Sequence, residues 1–251
     1  MEPQRWKVDL HAHTWHSRDC PVSPERLVMA AKRCGLNGIA ITNHNRFAGH
    51  EEAQRAAGPG FVIIPGEEVF SSAGEIIGLF LTSEIAGGLS PEATAEAIRA
   101  QGGIVVVPHP FDRYRRGAVG EAVLNRLNRA GLVDAVEVFN GRMMHPLDNR
   151  EARHWAQAHD VAVTVGSDGH STWEYGASYN LIAPFTDATS FRANLRGATQ
   201  HSHRAPQWVH VVSTFEKRRR AARETTPATD TATPGTTAPR MQQGTGMETH
   251  T

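Results

Sequence analysis

Short apolar runs rich in β-branched residues alternate along the chain with segments whose apolar positions recur every three to four residues. The runs are WKVDLHAH, NGIAITNH, GFVIIPGEEVF, EIIGLFLT, IVVVPHP, DAVEVFNG and VAVTVGSDGH. Helical periodicity marks SPERLVMAAKRCG, GHEEAQRAAG, SPEATAEAIRAQGG, AVGEAVLNRLNRAG, HPLDNREARHWAQAHD and the late DATSFRANLRGA. Strands separated by helices predict a mainly parallel sheet with right-handed crossovers, and the number of repeats suits closure into an α/β barrel. Ser23-Pro24 and Ser90-Pro91 predict helix starts, with serine as the cap and proline at the first helical position, while Gly35, Gly103 and Gly131 predict helix ends.

The pattern stops after Phe215. Lys217, Arg218, Arg219 and Arg220 form a basic run, followed by Thr, Pro, Ala and Gly with hardly any large apolar side chain. Such a stretch buries too little surface to offset chain entropy, so one domain is expected over 1–215 and a disordered tail over 216–251. The chain's 26 basic and 26 acidic side chains cancel. No global field then attracts long nucleic acid or an anionic membrane, and an anionic substrate must be held locally. Cys20 and Cys34 are the only cysteines, which excludes a thiolate metal cluster and fits a reducing compartment. MEPQRWKVDL lacks the apolar core of a signal peptide, and no apolar run approaches the roughly 20 residues that span a bilayer. A cytoplasmic protein with no membrane contact and no obligate protein partner is expected.

Polar chemistry recurs at one place, the C-terminal ends of the predicted strands. In the first strand, alternation puts Asp9, His11 and His13 on one face. His44 ends the second, Glu67 and Glu68 follow the third, and His109, Asn140, Asp168 and His170 end later ones. Strand C-termini of a β/α barrel meet at one mouth, where active sites are built. Imidazole and carboxylate suit zinc, manganese or iron, so the joint pattern reads as a metal site. His145, His154 and His159 fall in or beside a helical segment and His201 and His203 follow the last helix, which leaves them structural; His16 is given a supporting role.

DLHAHT with a following S-x-D, then ITNHN, PGEEV, VPHP and GSDGHS, in this order, resemble the motifs of the PHP superfamily, named for polymerase and histidinol phosphatase domains. The resemblance runs from Val8 to about Ser171 and loosely beyond. It implies a distorted (β/α)7 TIM-like barrel holding two or three divalent metal ions, manganese, zinc or iron with magnesium also allowed. By motif position, His11, His13, Glu68 and Asp168 resemble the first metal's ligands, with Glu68 bridging to a second. The second would use His109 and the position of Glu75, and the third Asp19, His44 and His170. Glu68 rather than Glu67 satisfies the family's Gly-x-Glu pattern from Gly66, so Glu67 should point away. Two departures stand out. Where the family often has histidine this chain has Glu75, which as a ligand favours manganese, iron or magnesium over zinc, or else simply sits near the metal. The usual ITDH is ITNH here, so Asn43 cannot supply an anionic group behind the ligands.

The expected activity is hydrolysis of a phosphoester by a metal-activated water held by His11, His13, Glu68 and Asp168. Substrates in view are a small phosphorylated metabolite, a nucleotide or the end of a short nucleic acid. Arg142, Arg18 and Arg46 are candidates to hold phosphate oxygens, because guanidinium grips two oxygens at once. Absence of GxSxG and P-loop motifs leaves little support for serine-hydrolase or nucleotide-switch chemistry. The alternatives are amidohydrolase-like carbon-nitrogen cleavage, disfavoured because no lysine lies between Lys32 and Lys217, and an inactive metal-binding scaffold. Asn43→Asp is expected to change metal content or turnover; unchanged values of both contradict that reading of Asn43.

Overall fold

The computed structural model describes residues 4–206 and Val209; the expected tail and the boundary at 215 lie outside the described residues. Strands β1 (Trp6–Asp9), β2 (Gly38–Ile41), β3 (Val62–Ser71), β4 (Gly74–Leu79), β5 (Ile104–Val107), β6 (Ala135–Asn140) and β7 (Ala162–Gly166) carry the apolar runs in chain order. The helices are α1 (Pro24–Arg33), α2 (His50–Ala57), α3 (Pro91–Ala100), α4 (Gly120–Arg129), α5 (Pro146–Ala158) and α6 (Ala188–Leu195). Two short strands that periodicity did not reveal, β8 (Tyr179–Ile182) and β9 (Thr199–His201), flank α6.

Side-chain caps start the helices where serine precedes proline: Ser23 accepts from the Arg26 amide and Ser90 from the Ala93 amide. Gly35 and Gly131 turn left-handed after α1 and α4, at φ 73° and 67°. The expected stop at Gly103 is displaced by one residue. Gln101 caps α3, so Gly102 takes the left-handed position at φ 77°, and Gly103 already packs against Ile98 on its way into β5.

The sheet order is β7-β6-β5-β4-β3-β2-β1-β8-β9. β1, β2 and β3 run parallel, as do β5, β6 and β7, but β4 is antiparallel to both of its neighbours. The reason is local: β3 continues to Ser71, and the turn to Gly74 is too short for a crossover. β4 therefore begins where the other strands end, which brings Glu75 to the mouth. Beyond the ladders, Ala12 bridges Gly169 in parallel, with His13 N donating to Gly169 O at 3.0 Å. The first and seventh strands thus meet at the mouth. Deeper down, Asn180 of β8 joins them: its Nδ2 donates to Val165 O (2.7 Å) and Val8 O (3.3 Å), and its Oδ1 accepts from Val165 N (3.1 Å). A nearly closed, distorted α/β barrel results.

Alternate strand residues fill the barrel, with Val8, Leu10, Ala40, Ile64, Ile77, Ile104 and Ala135 in one cluster closed by Phe185 and Phe191. Ile39, Ile41 and Ile63 pack instead with α1 and α2 residues, and Val105, Val107, Val136 and Val138 with those of α3, α4 and α5. An apolar plug thus underlies the polar mouth.

Candidate metal centre

β1 stops at Asp9 because its carboxylate accepts from the amides of His11 (3.3 Å), Ser167 (3.0 Å) and Gly176 (3.0 Å) and from Ser167 Oγ (2.5 Å). Strict alternation fails there. Ala12 packs with the α1 and α2 side of the sheet, His11 and His13 enter the mouth, and Asp9 ties three loops together instead of joining them. Burial raises the Asp9 carboxyl to about 6 against the pull of those hydrogen bonds. His109 and Asp168 adopt left-handed backbone at φ 27° and 53°, a strained conformation that their surroundings must hold. His109 N donates to Glu137 Oε2 (3.1 Å) and Asp168 N to His11 O (2.8 Å).

Six elements deliver their side chains to one volume. Glu68 lies at its centre: Oε2 is 3.2 Å from His11 Nε2, 3.3 Å from His13 Nε2 and 3.0 Å from His44 Nδ1, and Oε1 is 3.0 Å from His109 Nε2. Asp168 Oδ1 is 3.2 Å from His13 Nε2 and 3.7 Å from His11 Nε2. Glu75 lies 3.6 Å from both His44 Nδ1 and His109 Nε2. Asp19 faces His170 Nε2 at 3.2 Å and His44 Nε2 at 3.7 Å. All nine residues expected as ligands are therefore neighbours. Glu67 turns the other way, its Oε2 accepting from the Ile85 amide at 2.9 Å, and burial raises it to about 7.

Six buried atoms in this cluster, His11 Nε2, His13 Nε2, His44 Nδ1, Glu68 Oε2, Asp168 Oδ1 and His170 Nε2, meet one another and Asp19 in close nitrogen–oxygen contacts that fall short of hydrogen-bond geometry. Buried imidazoles and carboxylates so crowded leave lone pairs and charge incompletely compensated, which is unfavourable in a low-dielectric interior. A cation that accepts all their lone pairs removes the conflict, and the donor set of imidazole nitrogens and carboxylate oxygens fits a divalent metal. Ligand-type atoms of His11, His13 and Asp168, of His11, Glu68 and His109, and of His44, Glu68 and Glu75 each lie within 4.8 Å of one another. Glu68 belongs to two of these groups.

Protonation follows neighbours. Burial, then His170 and His44, push His13 down to about 3, leaving it neutral with a lone pair to offer. Burial opposes charge on His44 too, yet Glu68, Asp19 and Glu75 raise it to about 9. Burial disfavours the Asp168 anion, but Arg115 and His11 hold its carboxyl well below the usual range. Burial and the facing Glu68 raise Glu75.

Several contributors escaped the sequence. Glu137, in the middle of β6, places Oε1 3.0 Å from His11 Nδ1 while Oε2 accepts from Asn140 Nδ2 (2.9 Å), so a buried carboxylate fixes the His11 ring from behind. A lone acid in the apolar run AVEVFN was its signal. Ser17 Oγ is 3.1 Å from His13 Nδ1, accepts from the His44 amide at 3.0 Å and donates to Asn43 Oδ1 at 3.2 Å. Asn43 also accepts from Thr14 N and donates Nδ2 to Ala48 O, so its neutral amide serves both as acceptor and donor. Arg115, on the loop after β5, donates to Asp168 Oδ2.

The cluster opens into a cleft of about 850 Å³ bordered by Arg18, Arg46, Arg115, Arg116 and Arg142, with Phe70 as an apolar wall 5.1 Å from the His44 ring. All three arginines expected there border the cleft, Arg46 lying 3.9 Å from Glu84. Arg142 is buried, with Nε 3.3 Å from Glu174 Oε1 and Nη2 donating to Val209 O.

Models of two families match the sequence, the PHP domain over residues 9–80 and a PHP-associated region over 146–199. An uncharacterized protein of Methanocaldococcus jannaschii is 38% identical over 176 residues, covering 69% of either chain. A crystallised two-domain protein of Bacteroides vulgatus, containing a predicted PHP-like metal-dependent phosphoesterase, superposes with a TM-score of 0.68 at 19% identity, over 85% of this chain and 70% of that one. The lesion-specific endonuclease Q of Pyrococcus furiosus gives 0.58 at 15% identity, over 78% and 58%. At such identities the two structures speak for the fold.

Glu137→Gln keeps the size of the side chain but weakens its hold on His11. Affinity for manganese is expected to fall about 10- to 100-fold, read by competition with a chelating dye, and a change within about twofold contradicts the role given to Glu137.

Proposed function

The chain belongs to the PHP superfamily, and from that premise we propose that it is a metal-dependent phosphoesterase acting on the phosphate of a small metabolite, a nucleotide or an oligonucleotide end. The observation that carries the reading is the set of imidazole and carboxylate ligand atoms converging at the floor of an arginine-bordered cleft. Divalent ions held there would supply an acidified water and positive charge for phosphoryl transfer. The protein's own part is geometric. His11, His13, Glu68 and Asp168 would hold the first ion, His109 and Glu75 with Glu68 the second, and Asp19, His44 and His170 a third. Glu137 and Ser17 keep the His11 and His13 rings aimed. Arg18 and Arg46 would receive phosphate oxygens, and Arg142 would do so only with the part of its guanidinium that Glu174 and Val209 do not engage.

Nothing in the described mouth favours a covalent route. Ser17 Oγ is engaged with His13, Asn43 and the His44 amide, and burial pushes the Cys20 thiol up to about 12. Carbon-nitrogen cleavage assisted by lysine has no support either. Lys7 lies over the Tyr179 ring and Lys32 donates to Ala57 O, and among the described residues no other lysine exists. No helix among the described residues is long and apolar enough to cross a membrane.

Protein reconstituted with manganese, zinc, iron or magnesium is to be assayed against phosphomonoesters, nucleotides, bis-p-nitrophenyl phosphate and short RNA. Metal-dependent phosphate-ester cleavage is expected, abolished by chelator and reduced at least about 100-fold in His13→Ala. No metal-dependent turnover on any substrate, with metal content unchanged in His13→Ala, contradicts the proposal.

A further inference from the structure

The loop from Pro110 to Gly120 is pinned on both sides of Arg115. Arg113 donates Nε to Asp148 Oδ1 at 2.8 Å and approaches the same oxygen through Nη2 at 2.6 Å, and Asp148 is fully buried in α5. Tyr114 N donates to Asp112 Oδ1 (2.9 Å). On the far side, Gly117 O accepts from Glu75 N (2.7 Å), and Gly120 N donates to Pro110 O (2.9 Å). Gly117 fits so closely that a Cβ there would lie 2.0 Å from Glu75 Oε2. A loop held this way directs the side chain between its anchors.

That side chain reaches the metal-ligand cluster. Nη2 donates to Asp168 Oδ2, and Nε lies 3.3 Å from Asp112 Oδ2. Asp168 is thereby divided: Arg115 holds one oxygen, and the other, Oδ1, faces His11, His13 and His170 at 3.2–3.7 Å. A guanidinium has five N–H donors in a rigid fork, and the contacts to Asp168 and Asp112 occupy Nη2 and Nε. Nη1 remains, on a side chain that is 24% exposed and borders the cleft. The other arginines here are differently placed. Arg113 is engaged by Asp148, Arg142 by Glu174 and Val209, and Arg46 lies near Glu84, whereas Arg115 bonds directly to an expected ligand.

We propose that Arg115 acts with both edges of its guanidinium, one fixing Asp168 so that Oδ1 faces the metal centre, the other donating to a non-bridging oxygen of the bound phosphoryl group. Arg115 is thus a positioning residue for Asp168 and a binding residue for substrate, and the second role rests on the phosphoesterase reading. Such a fork ties substrate placement to ligand placement. Lysine, with a single point charge on a flexible stem, can reproduce only one of the two contacts at a time.

The test uses the full-length, metal-loaded protein and inorganic phosphate as the probe. Calorimetric phosphate affinity, metal content and thermal unfolding are compared for wild type, Arg115→Ala and Arg115→Lys. Phosphate binding is expected to weaken about 10- to 100-fold in Arg115→Ala, with a smaller loss in Arg115→Lys and partial recovery of the alanine variant in added guanidinium ion. Manganese affinity is expected to fall in Arg115→Ala as well, because Asp168 loses its anchor. Phosphate affinity within about twofold of wild type at equal metal content overturns the inference, whichever variant folds well enough to be measured. Arg115-dependent phosphate binding in a wild type that cleaves no phosphoester sustains the inference and overturns the phosphoesterase reading instead.

Discussion

A buried carboxylate surrounded by imidazoles organises this molecule. Glu68 is fully buried and stands within 3.3 Å of a nitrogen on each of His11, His13, His44 and His109. Burying so many ionisable groups side by side is unfavourable unless something compensates them. The barrel makes the arrangement possible because its strands end together over an apolar plug, and a divalent centre would compensate its charge. Other features serve that constraint: left-handed backbone at His109 and Asp168, Glu137 behind His11, Ser17 behind His13, and the antiparallel β4 that returns Glu75 to the mouth.

Much of this was legible in the sequence, and the rest was hidden for identifiable reasons. Apolar runs and serine-proline caps mark the strands and helices because burial and capping act locally. The direction of β4 is not written in the strand's own residues. EIIGLF reads the same either way, and only the tightness of the turn after Ser71 makes it antiparallel. β8 contributes four residues, and its role depends on one amide, Asn180, filling the gap between β1 and β7.

The ligand residues stood out because histidines and acids at strand ends break an apolar pattern. Their supporting partners did not. Glu137 looks like an ordinary strand acid until its oxygens are seen against His11 and the His109 amide, and Arg115 is one of several loop arginines until its bond to Asp168 is known. Asp9 errs in the opposite direction. Alternation assigned it to the mouth, but its hydrogen bond to the His11 amide interrupts the strand and turns it into a brace between loops. Charge is distributed with similar economy: a chain of 26 basic and 26 acidic residues has no net field, yet five arginines border one cleft.

Anomalous diffraction from crystals of manganese-loaded protein addresses the metal centre most directly. Peaks are expected at coordination distances of about 2.0–2.3 Å from His11 Nε2, His13 Nε2, Glu68 Oε2 and Asp168 Oδ1. A mouth without anomalous density, with those atoms hydrogen-bonded to water or to one another, would contradict a divalent centre as the compensating charge.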